Sequence, residues 1–316
     1  MAKKRMSKGA FLGVWCPVAA LCLGFGIAIQ IAGDHPGLKT ILDTYVNKGK
    51  AHVTEVEGSE NWDTNYYSQT YPSSTADGGN ADAKANGEKT VEKIADEGMV
   101  LIKNKESALP LTTAASKKIT LLGRGSVDPV YGGSGSGNVD TTTCSNPRKG
   151  LEAAGLEIDT GAYDFFNANY SKYDRQNITM DNYGNSTFFI GEIPASTYSF
   201  TVNSTNTAVV FISRCGGEGL DLSTNLKRDS QTSASKSKIN SNANTAAEVA
   251  NYADDQHQLE LSKEEKDMIA FAKSNYDKVV IVLNESTTME IGDLMDDAEI
   301  DAIIWAGSPG STGSTH

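Results

Sequence analysis

Cysteine is scarce in this sequence, with four residues in 316. Cys16 and Cys22 lie in an apolar run near the amino end, so that only Cys144 and Cys215 remain in the rest of the chain. So few cysteines exclude a small scaffold held together by disulfides. One disulfide bond, between Cys144 and Cys215, remains possible, because the sequence does not determine the distance between their Cα atoms.

Histidine is equally scarce, and the four residues are His35, His52, His257 and His316. They show no metal-ligand spacing among themselves or with the cysteines. The sequence therefore predicts no metal site, and no motif in it calls for a cofactor.

Basic side chains are also few, since 28 Lys and Arg face 40 Asp and Glu, which gives a net charge of −12. Nucleic-acid affinity comes largely from clustered cations, so a nucleic-acid partner is not expected. The charge is uneven: residues 1–32 carry no acid, and their basic residues are Lys3, Lys4, Arg5 and Lys8. Only the amino end is basic.

An apolar run follows this basic end. Residues 10–32 are broken only by Pro17 and Gln30, and at about 1.5 Å per residue they span the ~30 Å hydrocarbon layer. A cleavable signal has a shorter apolar stretch, of about 7 to 15 residues, so the run favours an uncleaved single-pass anchor in the cell membrane. The basic flank places the amino end inside and the residues after Gly33 outside the cytoplasm. A cleaved signal and a buried helix are the alternatives.

The rest of the chain divides into a polar spacer, residues 33–80, and a folded domain, residues 81–316. In that domain, short apolar runs predict strands at 99–102, 118–123, 156–158, 207–213, 278–284 and 301–307. Helical patterns separate several of them, so we expect an α/β fold with a mostly parallel sheet that is covered on both faces by helices. Residues 226–250, rich in Ser, Asn, Thr and Lys, predict a long mobile loop, with a disordered insertion as the alternative.

Candidate ligand-binding loops follow the strands, because the carboxyl ends of parallel strands meet at one edge of the sheet. Glu218 lies among three glycines in the segment 214–221, directly after a strand. Desolvation on such a loop would raise its pKa and make it a general acid, although an ordinary turn glutamate is the alternative. The glycine-rich segment 123–137 lacks the third glycine of the dinucleotide fingerprint and any Gly-Lys-Ser/Thr, which favours a ligand-lining loop over a nucleotide site.

Five segments in order resemble glycoside hydrolase family 3, the family of β-glucosidases and β-xylosidases. They are residues 94–111, 122–137, 210–221, 282–290 and 305–310. The resemblance covers about residues 83–316 and implies the α/β sandwich domain of that family, a flavodoxin-like layer of parallel strands between helices.

The resemblance also implies an activity, which is the exo-acting, retaining hydrolysis of terminal β-linked sugars in oligosaccharides or glycosides. Glu218 matches the acid/base, and Arg214, Gly217, Gly219 and Asp221 match the substrate-binding loop around it. The nucleophile of the family is an aspartate in a Ser-Asp-Trp type motif on a (β/α)8 barrel, about 5 to 5.5 Å from the acid/base. This sequence contains no such tripeptide.

Because the sandwich follows the anchor directly, the chain resembles permuted members in which the barrel comes second. We expect it to be a truncated copy of a longer enzyme and to be inactive alone without the barrel. The alternative is a non-catalytic carbohydrate-binding module at the cell surface, or an inactive fragment.

Overall fold

The computed structural model describes residues 7–34, 57–58, 71, 75–114, 116–133, 135–173, 175, 177–179, 186–202, 207–220 and 222–313. Contacts divide the chain into two units, Met1–Gln69 and Thr70–His316. Most of the predicted spacer lies outside the described residues, and so does Asp221, one of the predicted site residues.

The first unit contains one long helix, α1 (Lys8–Asp34). The hydroxyl oxygen of Ser7 accepts a hydrogen bond from the backbone N–H of Ala10 at 3.2 Å, at the start of this helix. Within it, the apolar segment Lys8–Ile31 has 24 residues, which correspond to about 36 Å of helix, and an 18-residue window in it has a mean hydropathy of 2.1. The segment is long and apolar enough to cross a membrane, a property that signal sequences near an amino terminus share.

The second unit is an α/β domain. Its elements are α2 (Asn80–Gly98), β1 (Val100–Asn104), β2 (Lys118–Leu122), α3 (Pro147–Ala153), β3 (Glu157–Ile158), α4 (Thr160–Asn169), β4 (Asn177–Thr179), β5 (Ser186–Phe188), β6 (Thr207–Arg214), α5 (Leu226–Asp229), α6 (Ser233–Ser241), α7 (Ala243–Ala250), α8 (Lys263–Asn275), β7 (Lys278–Glu285), α9 (Gly292–Asp296) and β8 (Ala302–Trp305). Strands β4 and β5 form a separate antiparallel pair.

The main sheet has the order β1-β8-β7-β6-β2-β3. Strand β1 is antiparallel to β8 at one edge, and the other four pairings are parallel. The five parallel strands taken in chain order follow the flavodoxin-like sequence 2-1-3-4-5. The α/β class and the mostly parallel sheet predicted from the sequence are therefore confirmed.

Local sequence explains where several helices begin and end. The side chain of Asn146 accepts a hydrogen bond from the Lys149 N–H at 2.9 Å and caps α3, whose first residue is Pro147. Ser262 and Glu265 form the reciprocal capping box that begins α8. These helix boundaries could be predicted from the sequence, because each depends on side chains within one helical turn.

The prediction of a mobile loop at residues 226–250 is wrong, since this segment forms the helices α5, α6 and α7. Each helix has a polar cap: Asn225, Thr232 and Asn242 accept hydrogen bonds from the first turns that follow them. Leu226 and Tyr252 also pack with neighbouring buried residues in a small separate core. Caps and a few apolar contacts stabilise helices whose composition carries no clear apolar period.

Helices cover one face of the sheet. Phe166 of α4 and Met268 of α8 are fully buried against Leu122, Val210 and Ile281, which project from successive strands. The alternation of side chains along each strand sends the intervening residues to the opposite face. This first face therefore forms the larger core of the domain.

The second face is covered only in part. Leu151 of the short helix α3 packs near one end of it, while a cavity of about 390 Å³ lies over Val209, Phe211, Val280 and Ile304. Among the described residues, the prediction that helices cover both faces of the sheet is therefore confirmed for the first face alone. The reason is length: α3 has seven residues, too few to span the sheet.

Three buried carboxyl groups predict an unusual pH dependence of stability. Burial raises the pKa of Glu192, that of Glu248 and that of Glu285 from 4.5 to about 7. The folded state then holds protons that the unfolded chain releases above about pH 4.5, so the free energy of unfolding is highest below that pH and falls as the pH rises through 7. We expect a slope of about 1 kcal/mol per pH unit for each group.

Urea unfolding of the chain in a mild detergent, followed by circular dichroism at pH 5, 6, 7 and 8, measures this slope. Glu248→Gln, which removes one of the three titrating groups, is expected to reduce it. A stability that rises between pH 5 and 7 would contradict the assignment.

Candidate active site

The site predicted from the sequence lies at the switch point of the sheet. Strand β2 pairs with β3 on one side and β6 pairs with β7 on the other, so the connections leave the neighbouring strands β2 and β6 in opposite directions. Such a switch point opens a crevice at the carboxyl ends of the strands. The loop 123–137 after β2 and the loop after β6, which carries Glu218, both begin there.

Asn284 at the end of β7 joins the loops at this edge. Its buried amide nitrogen donates to the carbonyl oxygens of Val130, at 2.9 Å, and Gly307, at 2.8 Å. Its amide oxygen accepts from the backbone N–H of Val130 at 2.6 Å and from the Ser213 hydroxyl at 3.1 Å. One side chain thus holds together the loop after β2, the end of β6 and the segment after β8, which confirms that these strand ends gather at one edge.

Glycine is required where the loops after β2 and β6 touch. Gly123 has φ +92, and a Cβ there would overlap the carbonyl oxygen of Phe211. A Cβ on Gly133 would lie 3.2 Å from Gly216 O and from Gly217 Cα. Larger residues would separate the two loops, which accounts for the glycine-rich sequence without a nucleotide.

Glu218 lies exposed on the loop after β6. Its Oε2 atom accepts hydrogen bonds from the Ser136 hydroxyl, at 2.6 Å, and from the Ser136 backbone N–H, at 3.0 Å. These bonds favour the ionised form and lower the pKa of Glu218 below its ordinary value. The predicted desolvation of this carboxyl group is therefore wrong for the chain as described, because its surroundings are open to water.

The two glycines that flank Glu218 shape the turn that presents it. Gly217 has φ +145 and Gly219 has φ +71, and the backbone N–H of Leu220 donates to Gly217 O at 3.1 Å. Both glycines are exposed with Glu218. The structure therefore brings three of the five predicted site residues together at the surface of one tight turn.

Arg214 lies beneath this turn rather than on it. It is one of the largest fully buried side chains among the described residues. Two of its N–H groups form a bidentate pair with Glu265, and the other three donate to backbone carbonyls, those of Ser213, Gln258 and Glu260, at 2.8 to 3.0 Å. With all five donors used, Arg214 fixes the base of the loop that carries Glu218.

A cavity of about 330 Å³ adjoins the loop of Glu218 at Cys215 and is also lined by Gly135, Tyr131, Asn138 and Arg175. Burial, and then the nearby guanidinium of Arg124, lower the pKa of Arg175 to about 10. Sequence reasoning missed Asn138 and Arg175, because neither stands in a motif or follows a strand. Cys215 and Cys144 are both free thiols, so the disulfide bond that the sequence left possible between them is not formed.

A substitution at Gly135 tests whether the position of the Glu218 carboxylate matters. It has φ +64, and a Cβ there would lie 2.7 Å from Glu218 Oε2. Gly135→Ala should therefore displace the carboxylate and lower kcat by about 10–100-fold in any reaction in which Glu218 takes part. Gly137→Ala is the matched control, since a Cβ at Gly137 meets nothing within 4 Å. Equal kcat values for the two variants would show that the contact is unimportant.

The family follows from comparison with known proteins. Residues 99–316 match the model of the glycosyl hydrolase family 3 C-terminal domain. Since the match covers more than half of the chain, the chain belongs to glycoside hydrolase family 3. The resemblance recognised in the sequence is confirmed.

The similar proteins are β-glucosidases. Beta-glucosidase A of Butyrivibrio fibrisolvens is 27% identical over 223 residues, which make up 70% of this chain and 25% of that protein. Beta-glucosidase 3B from Thermotoga neapolitana, solved in complex with glucose, has a TM-score of 0.52 and 22% identity over 74% of this chain and 28% of its own. The same enzyme with α-D-glucose gives 0.51 and 22% over 73% of this chain and 28% of its own. The chain therefore spans about a quarter of the length of these relatives.

Proposed function

We propose that this chain is the acid/base part of an exo-acting, retaining β-glycosidase, similar to β-glucosidases, that hydrolyses terminal β-linked sugars. The observation that carries the proposal is the position of Glu218. Its carboxylate lies on a turn between Gly217 and Gly219, at the switch point of the sheet, beside a cavity and open toward solvent. A second domain placed against this surface would meet the carboxylate directly.

Two carboxyl groups divide the chemistry in such an enzyme. A carboxylate from the second domain attacks the anomeric carbon, while Glu218 protonates the departing glycosidic oxygen. Glu218, now ionised, then takes a proton from the water that cleaves the glycosyl-enzyme bond. The two groups must lie about 5 to 5.5 Å apart, which an exposed turn permits.

The pKa of Glu218 connects this proposal with domain assembly. Hydrogen bonds from Ser136 lower that pKa in the chain as described, whereas a general acid must be protonated near the working pH. A second domain that excludes water and places a carboxylate nearby would raise it, both by desolvation and by like charge. Glu218 therefore becomes an effective acid only in the assembled site.

The remaining site residues have different roles in this proposal. Gly217 and Gly219 permit the turn to approach the sugar, and Asp221 binds substrate from the end of the same loop. Arg214 contributes indirectly, because its guanidinium is fully occupied below the loop. We assign it a positioning role.

Residues 10–32 anchor the enzyme in the cell membrane as an uncleaved signal-anchor. The basic residues before them keep the amino end inside, which places the catalytic domain on the outer side with its glycoside substrates. The free-energy gain from burying a helix as long and apolar as α1 supports this assignment.

The test compares this chain alone with the full-length gene product. We expect the full-length enzyme to hydrolyse 4-nitrophenyl β-D-glucoside or β-D-xyloside and to release the β-anomer first, as seen by proton NMR. The chain alone is expected to be inactive. Release of the α-anomer first would overturn the retaining mechanism. If calorimetry shows that the chain alone binds sugar and neither protein hydrolyses the substrates, the result would instead support the carbohydrate-binding alternative.

A further inference from the structure

Three side chains with metal-binding atoms meet at a place that takes no part in the proposed acid/base step. His257 and Glu260 lie on the segment that precedes α8, and Glu290 follows β7. One ligand atom from each lies within 4.8 Å of the other two. Thirty residues of sequence separate Glu260 from Glu290, so no spacing rule predicts the group.

The distances suit a small tetrahedral ion. His257 Nε2 lies 3.2 Å from Glu260 Oε1 and 3.3 Å from Glu290 Oε1. In a tetrahedral site with bonds of about 2.0–2.1 Å, neighbouring ligand atoms are about 3.3–3.4 Å apart. The Nδ1 atom of His257 is buried, so Nε2 is the ring nitrogen that an ion can reach.

Hydrogen bonds fix the two segments that carry these ligands. The backbone N–H of Glu290 donates to Leu259 O at 3.0 Å, and that of Glu260 donates to His257 O at 3.2 Å. From the other side, Arg214 donates to the carbonyls of Gln258 and Glu260, each at 2.8 Å. The backbones that carry the ligands are therefore held in place before any ion arrives, which reduces the entropy lost on binding.

Charge and access also suit a divalent cation. Glu260 and Glu290 supply two negative charges, while the guanidinium behind the segment is already paired with Glu265. The side chain of Glu290 is 63% exposed and that of His257 is 30% exposed. An ion can therefore enter from solvent.

We propose that His257, Glu260 and Glu290 bind a divalent first-row transition-metal ion, with Zn²⁺ as the reference ion and water as the fourth ligand. An imidazole nitrogen beside two carboxylates suits this class, whereas Ca²⁺ and Mg²⁺ prefer oxygen ligands alone. The ion joins the segment before α8 to the segment after β7. Because Arg214 holds that same segment and begins the loop of Glu218, the ion stabilises the base of the site.

Ion pairs between a protonated His257 and the two glutamates are the competing explanation for the cluster. The two explanations predict opposite results when Zn²⁺ is added. A metal site takes up the ion with saturation, whereas a cluster that exists only as ion pairs leaves added Zn²⁺ unbound.

The experiment titrates ZnCl2 into the whole chain, prepared without a polyhistidine tag in a mild detergent, at pH 7.5. We expect one Zn²⁺ ion to bind per chain, with an affinity that depends on His257. Tm should rise by about 5–10 °C at a hundredfold excess of Zn²⁺ over Kd. MgCl2 at the same concentration should leave Tm unchanged. A chain that shows no saturable binding, or an equal response to Mg²⁺, overturns the proposal.

Variants locate the ion. His257→Gln and Glu290→Gln should each weaken binding by at least about tenfold, while Glu97→Gln, which removes an exposed carboxylate from α2, should not. Glu290 is exposed, so its replacement tests the site even where His257→Gln impairs folding. Unchanged affinity in Glu290→Gln refutes the assignment.

Co²⁺ supplies a spectroscopic check on the ligand set. Bound to this group, it should show visible bands of tetrahedral coordination without thiolate charge-transfer absorption, because no cysteine takes part. Strong thiolate absorption would place the ion on the cysteines and would refute the proposal.

Discussion

Glu218→Gln in the full-length enzyme is expected to slow the hydrolysis of alkyl β-glucosides by about 10²–10⁴-fold. An alkoxide is a poor leaving group and needs the proton that the proposed function assigns to Glu218, whereas an activated phenolate departs without it. Hydrolysis of 2,4-dinitrophenyl β-glucoside should therefore lose far less in its first step. Steady-state kcat/KM for the two substrates measures the difference.

Two controls sharpen this result. Glu157→Gln removes an exposed carboxylate that pairs only with the surface residue Lys118, and it should leave both rates unchanged. Glu218→Ala should regain turnover of the activated substrate when azide is added, because the anion attacks the glycosyl-enzyme without general-base assistance. Equal losses on both substrates would count against an acid/base role, and so would the absence of azide rescue.

The pattern of strands was largely predictable from the sequence. Continuous apolar runs such as residues 207–213 and 278–284 can be buried on both faces only within a parallel sheet, and the structure places them as the adjacent strands β6 and β7. Helices α3 and α8 begin at caps that are encoded locally. The segment 226–250 could not be predicted in the same way, because contacts with Phe189 and Ile190, distant in sequence, stabilise it.

The candidate site could be predicted from the sequence where a residue with suitable chemistry directly follows a strand. Glu218 and its glycines follow β6 directly, and the switch point then brings them to the loop after β2. That Ser136 would donate to Glu218 was not predictable, since the contact joins residues 82 positions apart. The same is true of Arg175, and of His257 with Glu290. Each depends on how loops pack rather than on a local pattern.

Arg214→Met is expected to lower the free energy of unfolding by about 3–5 kcal/mol. The side chains of Arg214 and Glu265 are each only 1% exposed, and methionine would leave the Glu265 carboxylate buried without its partner. Three carbonyl oxygens would lose their donor as well. We expect Tm to fall by about 6–20 °C for a domain of this size, as measured by differential scanning calorimetry.

Two further variants separate the cost of the unpaired charge from the cost of lost packing. Lys93→Ala breaks an ion pair whose side chains are 76% and 74% exposed, and it should change the stability by less than about 0.5 kcal/mol. In Arg214→Met with Glu265→Leu, the buried charge of Glu265 is removed, so part of the lost stability should return, while the capping bond that Glu265 accepts from the Ser262 N–H is lost as well. A double variant as unstable as the sum of the single changes would show that the carbonyl bonds, not the ion pair, hold the loop of Glu218. In that case Arg214 would position the acid/base residue through the backbone of residues 258–260.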